Sequence, residues 1–348
     1  MNLLKLNQKK LLWLFQIALV AFVAFNTTRV QIVTQAIGSG YDSSYQYFYD
    51  NINKTNENYF NRDCERPYSL ESRKKVRWVF KKMSDSLYKI SYDTIGLYGF
   101  LLMYLFVHTL MVLISFISIK LAISKVLDNV SQSINVAKNS DSAFVLLLFL
   151  TLFLFHFNGK VVAFSTTIFE AAFVSLAIFA SVSKKMFLFL SVATLAVLTR
   201  ESGFLVILIW FVFNQKIDKN IGYFLTPFAV FLFANYDIFN CMMDIKFYIG
   251  SDNFTRGSSI GFNRVLFNSF LIIANYGILF SLMTFINLRL RRSESFNNNS
   301  VYLIFLIYLF VLIVATPLDY ISIKFIAIPF VIFYVAIYRE YYLINKKL

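Results

Sequence analysis

The segment Leu198-Thr199-Arg200-Glu201-Ser202-Gly203 sets two opposite charges between two strongly apolar runs. Ionisable groups in such a setting are costly, so they pair with each other or face a cavity. One reading is an internal Arg200–Glu201 pair that closes a helix hairpin. The other is chemical: Arg200 aimed at a phosphate, or Glu201 aimed at a substrate hydroxyl. A second acid, Asp42, follows Gly38 and Gly40 directly after the first apolar run and stands among Tyr41, Tyr45, Tyr47, Phe48 and Tyr49. The glycines let the chain turn there. The rings form either an ordinary aromatic belt at a membrane surface or a set of faces for a sugar around a catalytic carboxylate. Glu170, in Ser165-Thr166-Thr167-Ile168-Phe169-Glu170, falls near the middle of an apolar helix and is read as facing the bundle, paired structurally or touching substrate. Late in the chain, Asp319 and Lys324 follow Pro317, about one and a half turns apart if helical. Lys324 either snorkels to the interface or holds an anion.

These residues need elements to hold them, and the composition says which kind. Of the 348 residues, 58% are hydrophobic and only 15% charged, whereas a soluble domain carries roughly 25% charged residues. Mean hydropathy is +0.62. Several runs approach the roughly 20 apolar residues that cross a hydrocarbon core. The expected fold is all-α: a polytopic transmembrane bundle of about ten helices, near 11–28, 94–121, 142–157, 161–182, 186–199, 203–214, 221–236, 265–288, 300–316 and 320–339. The third, fifth, sixth and seventh are short for a full crossing. The whole chain reads as one membrane domain, with 26–93 a long first outer loop and 94–339 the helix bundle. The first run follows Lys5, Lys9 and Lys10 as in a signal peptide, but no small-residue cleavage site follows, so it is read as an uncleaved anchor.

Lys and Arg favour the cytoplasmic side of short loops. With the N-terminus inside, the cytoplasmic segments hold sixteen basic residues and the short outer segments six. Both termini are therefore expected inside. The acids fall mostly outside, Asp42, Glu201 and Asp319 among them. Within the first loop, residues 70–90 carry Val76, Val79, Phe80, Met83, Leu87 and Ile90 at spacings of three and four. Arg73, Lys74, Lys75, Arg77, Lys81 and Lys82 crowd the other side. Such a helix lies in the interface, as a plain anchor or as a cationic cradle for a lipid phosphate or pyrophosphate. The net charge of +14 is explained by loops and lipid phosphates, and no nucleic-acid partner is inferred. With two His and two Cys and no CxxC, the chain shows no metal-ligand pattern and no cofactor is indicated. Cys64 and Cys241 both fall on outer segments, where a disulfide is open to them.

The pattern resembles the polytopic GT-C glycosyltransferases, which use polyprenyl-phosphate sugars on the outer membrane face. The likeness rests on Asp42 just after the first helix and ahead of a long loop, and on Thr199-Arg200-Glu201-Ser202-Gly203, similar to a Ser/Thr-Arg-Glu-Thr-Gly segment in many bacterial members. It rests also on the late turn with Asp319, Lys324-Phe325 and Pro329. The layout likeness spans most of the chain; the matching motifs total under twenty residues. Two departures stand out. Lys324 occupies the place of a usual Arg and lacks its planar fork, and the first loop has no pair of adjacent acids. The resemblance implies a lipid-phosphate sugar as donor and a glycan or lipid as acceptor. Asp42 would be the base that deprotonates the acceptor hydroxyl, with Glu201 the lesser candidate. Arg200 and Lys324 would hold phosphate, with Tyr45, Asp319 and Glu170 as further substrate contacts. It implies an enzyme of a bacterial inner membrane with its site outside. Two rival readings remain from the sequence: a polymerase or ligase of lipid-linked glycans, and a transporter or scaffold without catalysis.

Overall fold

The computed structural model describes residues 2–38, 79, 82, 86, 90, 94, 96–134, 142–151, 166–199, 201–214, 221–236, 270 and 324–346. Among them every regular element is helical, so the all-α expectation holds. The helices are α1 (Asn2–Gly38), α2 (Leu97–Ile134), α3 (Ser142–Phe149), α4 (Thr166–Val182), α5 (Met186–Thr199), α6 (Val206–Phe213), α7 (Thr226–Ala234) and α8 (Lys324–Lys346). Two 3-10 segments, Glu201–Leu205 and Ile221–Leu225, lead into α6 and α7. Within α1 and α2, Lys10–Arg29 and Leu105–Leu127 are long and apolar enough to cross a membrane. At 1.5 Å per residue they reach about 30 and 34 Å, against a hydrocarbon thickness of about 30 Å. The remaining apolar helices are shorter, such as Ile168–Val182 and Met186–Thr199.

α4 is the centre of the assembly. It packs against α2, α5, α6 and α8, and is buried almost all round, with Ala171, Ala172, Ser175, Ala177 and Ala180 fully covered. Small residues of this kind let helix backbones approach closely, which is how helices associate when lipid removes the hydrophobic drive. Two contacts fix the α2–α4 register. His108 stands edge-on to Phe169, ring centroids 6.1 Å apart, and the Ser115 and Ser175 hydroxyls meet at 2.6 Å. A step of seven residues along α2 matches six along α4, so the two helices run parallel.

α4 and α5 form a tight hairpin. Lys185 N–H donates to the Ala180 carbonyl and Lys184 N–H to that of Ser181, the two bonds of a Schellman cap. Lys184 takes the left-handed conformation such a cap requires, φ 54°. The reversal at the far end of α5 is tighter still. A side-chain carbon on Gly203 would lie 2.3 Å from the carbonyl carbon and oxygen of Ala196, so only a glycine lets the 3-10 segment fold back against α5. The Asn214 side-chain amide, capping α6, then donates to the Ser181 carbonyl at 3.2 Å. α6 therefore runs beside α4, parallel to it.

Two sequence expectations shift in detail. α2 runs to Ile134, beyond the expected end at 121, because no Gly or Pro interrupts residues 122–134 once the apolar part is anchored. The described part of α4 begins at Thr166, and the expected start near 161 lies outside the described residues. Lys120, counted above among the cytoplasmic loop cations, is buried between helices. Its ammonium donates to the Gln16 side-chain oxygen and lies 4.4 Å from the Trp13 ring centroid. Of the expected helix near 265–288 only Phe270 is described, as helical; the expected helix near 300–316 and the possible Cys64–Cys241 disulfide lie outside the described residues.

Candidate functional site at the α5–α6 reversal

The helix ends collect the chemistry-bearing residues at one end of the bundle. The α4–α5 hairpin and the reversal after it put Thr166, Thr199 and the Glu201–Leu205 segment at the same end. Lys184 and Lys185, both exposed, mark the opposite end with Asn214. Thr199 is fully buried, and its hydroxyl donates to the Leu195 carbonyl at 2.7 Å. That bond ties down the last turn of α5 just before Arg200.

A second, smaller apolar cluster lies against this reversal. Val197, Leu198 and Phe231 form it, with Phe204 and Val79 packed on them. Phe204 meets Phe231 at 5.0 Å and Phe228 at 5.9 Å between centroids. Val79 belongs to the first-loop segment that the sequence marks as amphipathic. Its position, with those of Lys82, Ser86, Ile90 and Thr94, is helical, and Thr94 donates to the Ile90 carbonyl one turn back. Val79 thus packs beside the turn after α5, while Lys82 is exposed. Ile90, assigned to the same stripe, is 64% exposed.

Glu170 is fully buried on α4. With Val174, Ala177 and Ser181 it forms one stripe, since steps of four, three and four residues return to the same face. All four are fully covered. The Ser181 backbone carbonyl receives the α6 cap, so this end of α4 meets the end of α6. Counting back from the Ser181–Asn214 contact, eleven residues of α4 span about 16.5 Å at 1.5 Å each. The same distance along α6 and into the 3-10 segment, at about 2.0 Å per residue there, ends near Gly203. The hairpin gives an independent register: twelve residues back from Val182 stand level with twelve residues on from Met186, which is Leu198. Both bring Glu170 within a turn of the 199–203 reversal.

Of the other expected site residues, Glu201 opens the 3-10 segment and Lys324 is the first residue of α8. Asp42, Tyr45, Arg200 and Asp319 lie outside the described residues. Sequence reading missed Asn235, 1% exposed at the reversal end of α7 and donating to the Phe231 carbonyl at 2.9 Å. It looked like part of the ordinary polar boundary of an apolar run. Among the described residues no group of three His, Cys, Asp or Glu side chains stands ready to hold a metal ion. No protein-family profile, no curated protein and no solved structure matches the chain.

Proposed function

We propose that the chain is a polytopic membrane glycosyltransferase that moves a sugar from a polyprenyl-phosphate donor to a glycan or lipid acceptor on the extracytoplasmic face. The observation that carries the reading is the meeting, at one end of the bundle, of three features: the Thr199–Gly203 reversal, the buried Glu170 level with it, and Val79 of the first-loop segment packed against it. A surface reaction on a lipid phosphate is served by a cationic first-loop segment beside a polar turn, and the sequence of residues 70–90 offers those cations. In this reading the chain has about ten spanning helices in a bacterial inner membrane, with both termini cytoplasmic.

The chemistry follows. Asp42, or Glu201 in its absence, accepts the proton of an acceptor hydroxyl as that oxygen attacks the anomeric carbon, from within about 3 Å. The bond from the anomeric carbon to the donor phosphate breaks, and the electron pair leaves with the phosphate. Arg200 and Lys324 stabilise its growing negative charge. Tyr45, Asp319 and Glu170 orient the sugar, and no nucleotide is needed at the site.

The test uses the purified chain in proteoliposomes with several radiolabelled polyprenyl-phosphate sugars and crude membrane glycolipids as acceptors. Label appearing in acceptor with equal release of polyprenyl phosphate supports the reading. Absence of transfer with every donor, while labelled lipid or sugar crosses the vesicle wall, would replace it with a transporter.

A further inference from the structure

We infer that the chain has a tapered hydrophobic belt and that its α5–α7 flank takes a lipid layer thinner than an ordinary bilayer core. Packing runs from α1 to α2, from α2 to α4, from α4 to α5 and from α5 to α7, so α1 and α7 stand at the two ends of that order. Each presents an apolar face to the outside. On α1 the exposed Leu11, Leu14, Phe15 and Phe22 lie between two exposed cations, Lys10 and Arg29. The nineteen steps from position 10 to position 29 measure about 29 Å at 1.5 Å each. That matches the hydrocarbon core of a typical bilayer, about 30 Å.

The face on α7 is shorter. Tyr223 and Tyr236, both exposed, bracket the exposed Leu225, Phe228 and Phe233. Tyrosines at the ends of an apolar face anchor at headgroup level. Three steps of 3-10 helix at about 2.0 Å and ten of α-helix at 1.5 Å put the two rings about 21 Å apart along the axis. α5 repeats the length. Fourteen steps lead from the exposed Lys185 to Thr199, again about 21 Å, and Phe187, Leu188 and Leu195 face outward between them. The sequence leaves no slack: Lys184-Lys185 and Arg200-Glu201 bound the α5 run, and Lys219-Asn220 and Asp237 bound the α7 run. Tilt only shortens the reach. A span roughly 9 Å too short thins the bilayer, stretches long flanking side chains toward water, or finds a protein neighbour. Stretching is not what the side chains do: the Lys185 ammonium lies 5.7 Å from the Phe179 ring centroid, turned back onto α4. A thinned bilayer is what fits this flank, with headgroups drawn toward Tyr236 and the Glu201–Leu205 segment. The taper stands without the glycosyltransferase reading. On that reading it brings the phosphate of a lipid donor to the turn after α5 while the chain stays in its leaflet.

The experiment measures depth in the full chain, with Cys64 and Cys241 changed to Ser, in vesicles of dioleoyl phosphatidylcholine. Lys10→Cys, Arg29→Cys, Tyr223→Cys and Tyr236→Cys are made singly and carry a nitroxide. Its relaxation by oxygen and by a water-soluble nickel complex gives its depth below the lipid phosphates. All four labels are expected at headgroup level, although one pair is about 29 Å apart and the other about 21 Å. A hydrocarbon depth at Tyr223→Cys or Tyr236→Cys means an unthinned bilayer and overturns the taper. A hydrocarbon depth at Lys10→Cys or Arg29→Cys overturns it too, since the belt would then be thin all round. Gly222→Cys, exposed and with open space around it, takes the place of Tyr223→Cys should that variant fail to accumulate. Labels at Phe228→Cys and Phe233→Cys report what covers the flank. High oxygen and low nickel accessibility is the lipid result. Loss of access to both reagents puts a second copy or another protein there and overturns the lipid partner. No readout uses sugar transfer, so failure of the taper and failure of the transferase reading are told apart.

Discussion

Lys120 shows how much a single side chain can reorganise the account of a helix. It sits seven residues inside the end of the Leu105–Leu127 span, and Gln16 sits six residues inside the start of Lys10–Arg29. The two groups are therefore level if the spans run antiparallel. The ammonium is met by the Gln16 oxygen and by the faces of Trp13 and Phe116, at 4.4 and 5.7 Å from the centroids. Cation–π contact is worth roughly 0.5–2 kcal/mol when desolvated, so the amide is a large share of the compensation. Gln16→Leu should then destabilise the protein by about 1–3 kcal/mol, the cost of stranding a buried donor. Adding Lys120→Met should recover most of that, because both polar partners are then gone together. Reversible unfolding titrations in mixed micelles would read the difference, and equal destabilisation by single and double variants would contradict the clamp. Nothing in the sequence separated Lys120 from Lys125 or Lys138 as loop markers. Burial against a residue 104 positions away in the chain is not written in local pattern.

At the scale of elements, the reversal after α5 was the most legible feature. The charged Arg200-Glu201 step between two apolar runs pointed to a hairpin, and a hairpin is what the described residues form. Its tightness was not legible, because the need for Gly203 arises only when the 3-10 segment meets the Ala196 backbone. Gly203→Ala forces backbone apart against backbone, so it should cost about 1–3 kcal/mol, as overpacking does, and should loosen the α5–α6 junction. A melting curve beside that of Gly222→Ala makes the control, since a side-chain carbon at Gly222 meets nothing within 4 Å. Equal losses at both sites would refute the close-approach argument. The amphipathic periodicity of residues 70–90 was legible too, but not its partner. Val79 could have lain in lipid; it packs instead on the cluster at the reversal.

For the whole molecule, the charge asymmetry and the helix ends make one argument. The exposed Lys184–Lys185 turn marks one end of the bundle, and the reversal marks the other, together with Tyr236, 81% exposed just past α7. Basic residues concentrate inside, so the proposed topology puts the reversal end outside. With Cys64 and Cys241 changed to Ser, Tyr236→Cys should react with an impermeant maleimide on intact cells, and Lys185→Cys only after permeabilisation. The reverse pattern would invert the topology and move the site to the cytoplasm. All-α class, burial of Glu170 and alternation of helix direction were readable from hydrophobic runs and charge. The role of the charged groups was not, since it depends on which side chains meet across helices.

The most direct test is sugar transfer from a polyprenyl-phosphate donor to membrane acceptors by wild type and by Asp42→Asn at matched expression. The account predicts transfer by wild type and a loss of about 10²- to 10⁴-fold in the variant, the usual contribution of a general base. Wild-type activity in Asp42→Asn would contradict the assignment of the base to the first loop and pass it to Glu201. No transfer by wild type with any donor would contradict the central claim itself.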